Sequence, residues 1–214
     1  MDIKINLEII KKAIWKNAGL CIWLISVAMG LGGLWLYSMD PGGFGVVSRD
    51  WPENSKIELS PDRLQLVMFV HPQCSCSRAS LGELAVLMKR KGGLVDAKVM
   101  FICPADEALT WVQSGLWQDA MDIPGVQVFV DHEGQEAGLF GAQTSGATIV
   151  YGADGTLLFH GGITAARGHF GDNVGRLVIE QLAAGDDPGA DETPVFGCAL
   201  QNSEDTVPLV NPLN

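Results

Sequence analysis

Residues 64–80 have the sequence LQLVMFVHPQCSCSRAS, an apolar run followed by two cysteines one residue apart. The run Leu64 to Val70 predicts a buried strand, and the apolar spacing of Leu81 to Arg90 predicts the helix that follows. Cys74 and Cys76 are therefore expected at a strand-to-helix turn, where unpaired backbone N–H groups and the helix dipole favour a thiolate. Because the thiolate attacks disulfides and binds soft metals, the pattern predicts chemistry through sulfur.

An uncharged segment near the N-terminus predicts a membrane anchor. Residues 18–38 contain no charged side chain, and 21 residues of helix are long enough to span a bilayer. Four lysines precede this segment, so the positive-inside rule places residues 1–17 in the cytoplasm and the domain in the periplasm. The alternative is a cleaved signal peptide, but its apolar core would be only about 7 to 15 residues long. The expectation is an uncleaved, single-pass anchor in the inner membrane.

The rest of the chain is acidic and long enough for one domain. The 176 residues after Ser38 carry 10 of the 14 basic and 23 of the 25 acidic residues, a formal net charge of −13. That charge argues against nucleic acid as a partner. Gly, Pro and polar residues make 39–61 a tether with little structure of its own. The domain is expected over 62–184, and 185–214 form a linker and a tail containing Cys198.

Strands and helices alternate along the predicted domain. After the first strand and helix we expect a strand over 95–102, a helix over 106–121 and a short strand over 126–130. A hairpin of strands 147–151 and 156–160 follows, around the turn Ala153-Asp154-Gly155, and an amphipathic helix over 172–184 ends the domain. The apolar segment 195–200 should dock on the domain. The predicted class is α/β.

This order, with a cysteine pair at the head of the first helix, resembles the thioredoxin fold, a central mixed sheet flanked by helices. With the anchor, the chain looks like membrane-anchored extracytoplasmic thioredoxin-like proteins, which include cytochrome-maturation reductases and copper-handling SCO-type proteins. The stretch H-P-x-C-x-C-S-R-A-S-L and the later segments T-S-G and F-x-G-G-I-T-x-x-R-G-H also resemble a bacterial group labelled RedB.

Three features depart from these relatives. One residue separates the two cysteines, where thioredoxins have two and SCO-type proteins three. Gly146 stands where thioredoxins have a cis-proline. His71 occupies the position at which peroxiredoxins need a threonine, which argues against peroxidase activity.

The resemblance implies that the first two strands are parallel neighbours and that the hairpin returns to the same edge of the sheet. Ligand sites in open α/β sheets form at that edge. We therefore expect a group of residues distant in sequence to converge there: Cys74, Cys76, Cys103, Ser145, Gly146 and His160.

By analogy with the family motif, Cys74 is the candidate nucleophile and Cys76 the thiol that resolves the mixed disulfide. A disulfide ring closed across one residue is strained and easily reduced, so the alternative of a passive disulfide is disfavoured. Cys103 is either a buried apolar residue or a member of the site. Cys198 is either tucked under the domain or a third thiol at the edge.

The remaining candidates support these cysteines. Pro72 keeps His71 extended, so that its imidazole either acts near Cys74 or packs. Arg78 could lower a thiol pKa by its charge, with solvent exposure as the alternative. His160 is a possible ligand or proton donor. The pair Gly161-Gly162 lets the backbone of a partner or of the tail approach closely.

Three functions are open from the sequence. The leading one is a membrane-tethered thiol–disulfide oxidoreductase without a cofactor, acting on protein thiols or disulfides outside the membrane. The second is a copper-binding, SCO-like metallochaperone that holds Cu(I) with two or three thiolates and His160 or His71, for which Cys74, Cys76 and His160 are the expected set. The third is a non-catalytic docking module of the same fold, slightly favoured by Gly146.

Overall fold

The computed structural model describes residues 2–201, with side chains from residue 15 onward. It contains two compact units, one ending at Met39 and one beginning at Asp40. The predicted tail beyond residue 201 lies outside the described residues. In chain order, the elements are α1 (Asp2–Ser38), β1 (Leu64–Val70), α2 (Ser77–Lys91), β2 (Val95–Cys103), α3 (Leu109–Val112), α4 (Gly115–Met121), β3 (Val126–His132), α5 (Gln135–Leu139), β4 (Ala147–Tyr151), β5 (Leu157–Gly161) and α6 (Val174–Leu182).

The first unit is the single helix α1, which contains the segment predicted to cross a membrane. Its part Trp15–Ser38 has a mean hydropathy of 1.9, and none of that window is buried inside the molecule. By length and composition this helix is able to span a bilayer.

The second unit is built on a five-stranded mixed sheet in the order β3-β2-β1-β4-β5. Strand β1 pairs in parallel with β2, and β2 in parallel with β3. Strand β4 pairs antiparallel with β1 and with β5, which confirms the predicted hairpin. The carboxyl ends of β1 and β2 and the start of β4 consequently share one edge, because Phe69 lies opposite Ala147. The predicted α/β class is confirmed.

Successive side chains of a strand point to opposite faces of the sheet, and both faces are covered. On one face Leu66 and Met68 pack against α2, α4 and α6, through residues such as Leu84 and Ile179. On the other face Val67 and Phe69 pack beneath the short helix α5 and several loops, through Ala137, Phe140 and the tail residues Val195 and Leu200. A tail thus supplies part of the core.

Two local elements differ from the sequence-based expectation. The predicted helix over 106–121 is two helices, because Ser114 is extended (ψ 177°) and begins α4 as its N-cap residue. Ser and Gly are poor interior helix residues, and both stand at this break. Helix α5 was not predicted; its first turn is held by Asp131, whose carboxylate accepts the N–H groups of Glu136 and Ala137 at 2.9 Å each.

The segment 40–61, predicted as a tether, has no regular helix or strand, yet it packs on the domain. Phe44 forms a β-bridge with Ala142, and the ring of Trp51 lies 5.1 Å from that of Phe140 and 5.2 Å from that of Tyr151. These aromatic contacts place the segment in the second unit.

Candidate active site: three converging thiols

The loop after β1 presents Cys74 at the carboxyl edge of the sheet. The N–H of His71 donates to Ser145 Oγ at 2.8 Å, and the N–H of Cys74 donates to the His71 carbonyl at 3.0 Å. Buried Pro72 lies between them. Cys74 is only 1% exposed, whereas Cys76 is half-buried at the N-cap position of α2. The local sequence therefore folds into the strand-to-helix turn that it predicts.

The C-terminal tail reaches the same edge and pairs with the chain just before β4. The N–H of Ser145 donates to the Cys198 carbonyl at 2.8 Å, and the N–H of Leu200 donates to the Gln143 carbonyl at 2.9 Å. Thr144 and Ala199 form an antiparallel bridge between these two bonds. Residues 195–200, called the tail strand below, dock as predicted.

Glycines make this approach possible. A Cβ on Gly162 would lie 2.7 Å from the Pro194 carbonyl oxygen, closer than real Cβ atoms approach. A Cβ on Gly197 would lie 1.9 Å from the Ser145 carbonyl oxygen. Of the two alternatives open for Gly161-Gly162, the tail is the backbone that comes close.

The tail strand places a third sulfur against the nucleophile candidate. Cys198 Sγ lies 2.8 Å from Cys74 Sγ, and the Cys198 N–H donates to Cys74 Sγ at 3.4 Å. The Sγ atoms of Cys74, Cys76 and Cys198 all lie within 4.8 Å of one another. A disulfide bond is about 2.05 Å long, so the Cys74–Cys198 pair needs little movement to close one. Cys198 is an exposed residue in spite of this contact.

Hydrogen bonding and burial shift the pKa values of the three thiols in different directions. Burial raises the pKa of Cys74, but hydrogen bonds from Cys198 and from Ser77 outweigh burial, and the net pKa lies below its usual range. Burial also raises the pKa of Cys198, to about 12, and the hydrogen bond with Cys74 and the charge on Cys74 act in the same direction. The pKa of Cys76 is raised by burial and by that same charge. Cys74 therefore has the lowest thiol pKa of the three.

Two supporting groups were not assigned a role from the sequence. Ser77 Oγ lies 2.6 Å from Ser145 Oγ, which ties the start of α2 to the entrance of β4. Arg167 donates to the Gly197 carbonyl, and its positive charge opposes part of the rise in the pKa of Cys76 and of Cys198. The predicted cation, Arg78, instead pairs with Asp119 of α4 at the surface. Only the motif R-G-H at 167–169 hinted at the loop that supplies the charge.

Two predicted members of the convergence lie outside the cluster. Cys103 is buried in the helical-face core, and its Sγ lies 3.7 Å from the carbonyl oxygens of Pro104 and Glu107. Burial and the charge of Glu107 raise its pKa. The His160 ring packs edge-on against Phe44 at 5.3 Å. The structure therefore differs from the expected copper ligand set, because Cys198, rather than His160, is the third group beside Cys74 and Cys76.

His71 and Gly146 shape the edge beside the thiols. The His71 ring packs edge-on against Trp111 at 5.4 Å, and its Nδ1 accepts the N–H of Gln73 at 3.2 Å. Burial lowers the pKa of His71. Gly146 has φ +92°, and a Cβ there would lie 2.8 Å from Ser80 Oγ, so the position favours glycine.

Comparison with known proteins supports the fold. No protein-family model matches the chain, and no curated protein matches its sequence. A crystal structure of an uncharacterised conserved protein from Geobacillus kaustophilus is similar, with TM-score 0.57 and 15% identity over 78% of this chain and 90% of that one. A hypothetical protein from Sinorhizobium meliloti has TM-score 0.53 and 20% identity, covering 76% and 94%.

A solution structure of a thioredoxin-like protein in its oxidised form also matches, with TM-score 0.44 and 16% identity over 70% of this chain and 97% of that one. The mixed five-stranded sheet with its flanking helices is the α/β architecture that the sequence predicted. At these identities the similarity concerns the fold.

Proposed function

We propose that this chain is a membrane-tethered thiol–disulfide oxidoreductase that acts outside the cytoplasm on protein thiols or disulfides. The observation that carries the proposal is the convergence of three thiols, one of them the buried Cys74, whose pKa is lowered by hydrogen bonds, at the edge of a thioredoxin-like sheet. The RedB-like motif agrees with the proposal, and within it the activity comes from the sulfurs alone.

The chemistry begins with Cys74. Its thiolate attacks one sulfur of a substrate disulfide, forming a mixed disulfide and releasing the other substrate sulfur as a thiolate. A second thiol of the cluster then attacks Cys74 Sγ, which releases the second substrate sulfur and leaves an intramolecular disulfide. Two electrons pass from the protein dithiol to the substrate, and the reverse sequence oxidises a substrate dithiol.

The test is disulfide exchange by the full chain in detergent micelles. Cys74→Ser should abolish reduction of a peptide disulfide, and the mass of the wild-type protein should fall reversibly by two hydrogen atoms on oxidation. Cys103→Ser is the matched control, since Cys103 lies in the core and outside the thiol cluster. Exchange that survives in Cys74→Ser would contradict the proposal.

The orientation is proposed on the lysines that precede the apolar helix. Four lysines lie before it, and Arg49 is the first basic residue after it. Under the positive-inside rule the domain lies outside. A fusion after Asn214 to a reporter that needs an oxidising compartment should be active. Activity of a cytoplasmic reporter alone would refute the orientation.

A second candidate function is binding of a soft monovalent ion, for which Cu(I) is the probe. Cys74, Cys76 and Cys198 offer three sulfurs within 4.8 Å of one another, and thiolate sets select Cu(I). Stoichiometric Cu(I) that is retained under reduction, and lost in each single Cys→Ser variant of the three, would favour this candidate. Reversible disulfide formation without retained copper would favour redox work.

A further inference from the structure

We propose that the tail strand, residues 195–200, is an intramolecular substrate: it occupies the place that an extended cysteine-bearing segment of a partner takes, and Cys198 is the thiol that forms the disulfide with Cys74. This inference rests on the proposed oxidoreductase function. It names the class of substrate, an extended strand that pairs through its backbone and presents a cysteine, and it assigns resolution to Cys198 in place of Cys76.

The tail strand is held by its backbone at its cysteine. Two backbone hydrogen bonds and an antiparallel bridge join it to residues 143–145. These bonds use main-chain atoms only, and the first of them is made by the carbonyl of the cysteine whose sulfur meets the nucleophile at 2.8 Å. Main-chain pairing of this kind is how extended peptides add to an exposed strand edge. Any peptide in the same register would present its own sulfur to Cys74.

The tail strand controls access to Cys74. Cys74 is only 1% exposed and is contacted by both the sulfur and the N–H of Cys198. A partner disulfide consequently reaches Cys74 only after the tail strand has lifted. The partner segment would then find the Ser145 N–H and the Gln143 carbonyl free for the same bonds.

The tail strand stays close to the site after it lifts. The N–H of His160 donates to the Asp191 carbonyl at 2.9 Å, and the N–H of Thr193 donates to the His160 carbonyl at 3.2 Å. These bonds anchor the chain five residues before Cys198. A thiol on so short a tether has a high effective concentration at the site and competes well with a partner.

Cys74 thiolate attacks the partner disulfide, and one partner sulfur leaves as a thiolate. The tail strand returns, and Cys198 gives its proton to the second partner sulfur as its own sulfur attacks Cys74 Sγ. The products are a partner dithiol and a Cys74–Cys198 disulfide, so the partner gains two electrons and two protons overall, the first proton coming from solvent.

Mapping of disulfides in the full chain tests the assignment. After oxidation with glutathione disulfide, non-reducing peptide mass spectrometry should find Cys74–Cys198 in the wild type and in Cys76→Ser. Incubated with a peptide disulfide, Cys198→Ser should accumulate a mixed disulfide on Cys74, whereas Cys76→Ser should release its peptide. A Cys74–Cys76 disulfide alone, with trapping in Cys76→Ser, would overturn the inference and leave the oxidoreductase standing. If no variant forms any disulfide, the proposed function fails as well.

A peptide with the tail's own sequence tests substrate mimicry. The Cys198→Ser chain is mixed with oxidised PVFGCALQ, the sequence of residues 194–201, or with the same peptide carrying Ala in place of Gly. That Ala would lie 1.9 Å from the Ser145 carbonyl oxygen if it bound as Gly197 does. The Gly peptide should form the mixed disulfide roughly tenfold faster, as one misfit methyl group in a packed site implies. Equal rates would show that the tail strand is a packing element only.

Discussion

Replacing Gly197 by Ala separates the docking of the tail strand from the chemistry of its sulfur. The added Cβ would lie 1.9 Å from the Ser145 carbonyl oxygen and 3.0 Å from its carbonyl carbon. Both atoms belong to a backbone that Ser145 fixes through its bonds to His71 and Ser77. Since that backbone cannot yield, the tail strand must move by about 1.5 Å to restore an ordinary contact.

That displacement has a calculable cost. It breaks or lengthens the 2.8 Å bond from the Ser145 N–H to the Cys198 carbonyl, worth about 0.5 to 1.5 kcal/mol. It also disturbs the packing of Phe196 and Leu200, which are 7% and 5% exposed. We expect a total loss of about 1 to 3 kcal/mol in the free energy of unfolding, the usual cost of one methyl group too many. Cys74, uncovered, should be alkylated faster in the folded protein.

The assay combines denaturant unfolding with iodoacetamide labelling of the reduced full chain at neutral pH. Gly93→Ala is the matched control, because a Cβ at Gly93 meets no atom within 4 Å, and it should leave both quantities within error. If Gly197→Ala kept the wild-type stability and the wild-type rate of Cys74 labelling, the close approach of the tail strand to Ser145 would be refuted.

Two further predictions concern the frame around the site. Arg176→Met removes the cation that pairs with buried Glu83 at 2.7 Å, and it should lower the free energy of unfolding by about 3 to 5 kcal/mol. The exposed Arg78→Met should lower it by about 1 kcal/mol or less, and similar losses in the two variants would contradict this expectation. Burial lowers the pKa of His71 from 6.5, so the unfolded chain binds a proton on this residue more tightly than the folded chain does. The stability that depends on neutral His71 should therefore be fully present above pH 6.5 and be lost as the pH falls through the folded pKa. His71→Gln should flatten that fall in a pH series of thermal unfolding, and an unchanged pH profile in this variant would refute the attribution.

The sequence was most informative where the pattern is local. The apolar run 64–70 could only be buried on both faces, and in the structure it is the central strand. The turn at Ala153-Asp154-Gly155 correctly predicted the hairpin, because turn residues determine the chain direction within a few positions. Helix 106–121 failed locally too: Ser114 and Gly115 carried the signal for a break, but the apolar spacing across them outweighed it.

The composition of the site could not be obtained from local patterns. Cys74 and Cys198 are 124 residues apart, and nothing near Cys198 indicates which side of the domain it docks on. Arg78 is the cation nearest to the cysteine pair in sequence, but it pairs with Asp119. The cation beside the tail strand is Arg167, which lies in the loop after β5. His160 belongs to a strand that reaches the right edge, yet its ring points to the face that Phe44 covers. Long-range packing decided all three.

The way in which the tail strand docks also predicts which partner segments can replace it. Residues 196, 197 and 200 of the tail are buried, whereas 198 and 199 are exposed. A partner strand in the same register therefore needs Gly immediately before its cysteine, where any side chain meets the Ser145 carbonyl, and apolar residues one position before that Gly and two after the cysteine. The residue after the cysteine faces solvent and should be free to vary. In a panel of oxidised peptides based on PVFGCALQ, mixed-disulfide formation with Cys198→Ser should drop on replacing Phe or Leu by Ser and hold on replacing the exposed Ala by Ser. If all positions proved equally tolerant, the buried side chains of the strand would not contribute to recognition, and the predicted sequence preference would be refuted.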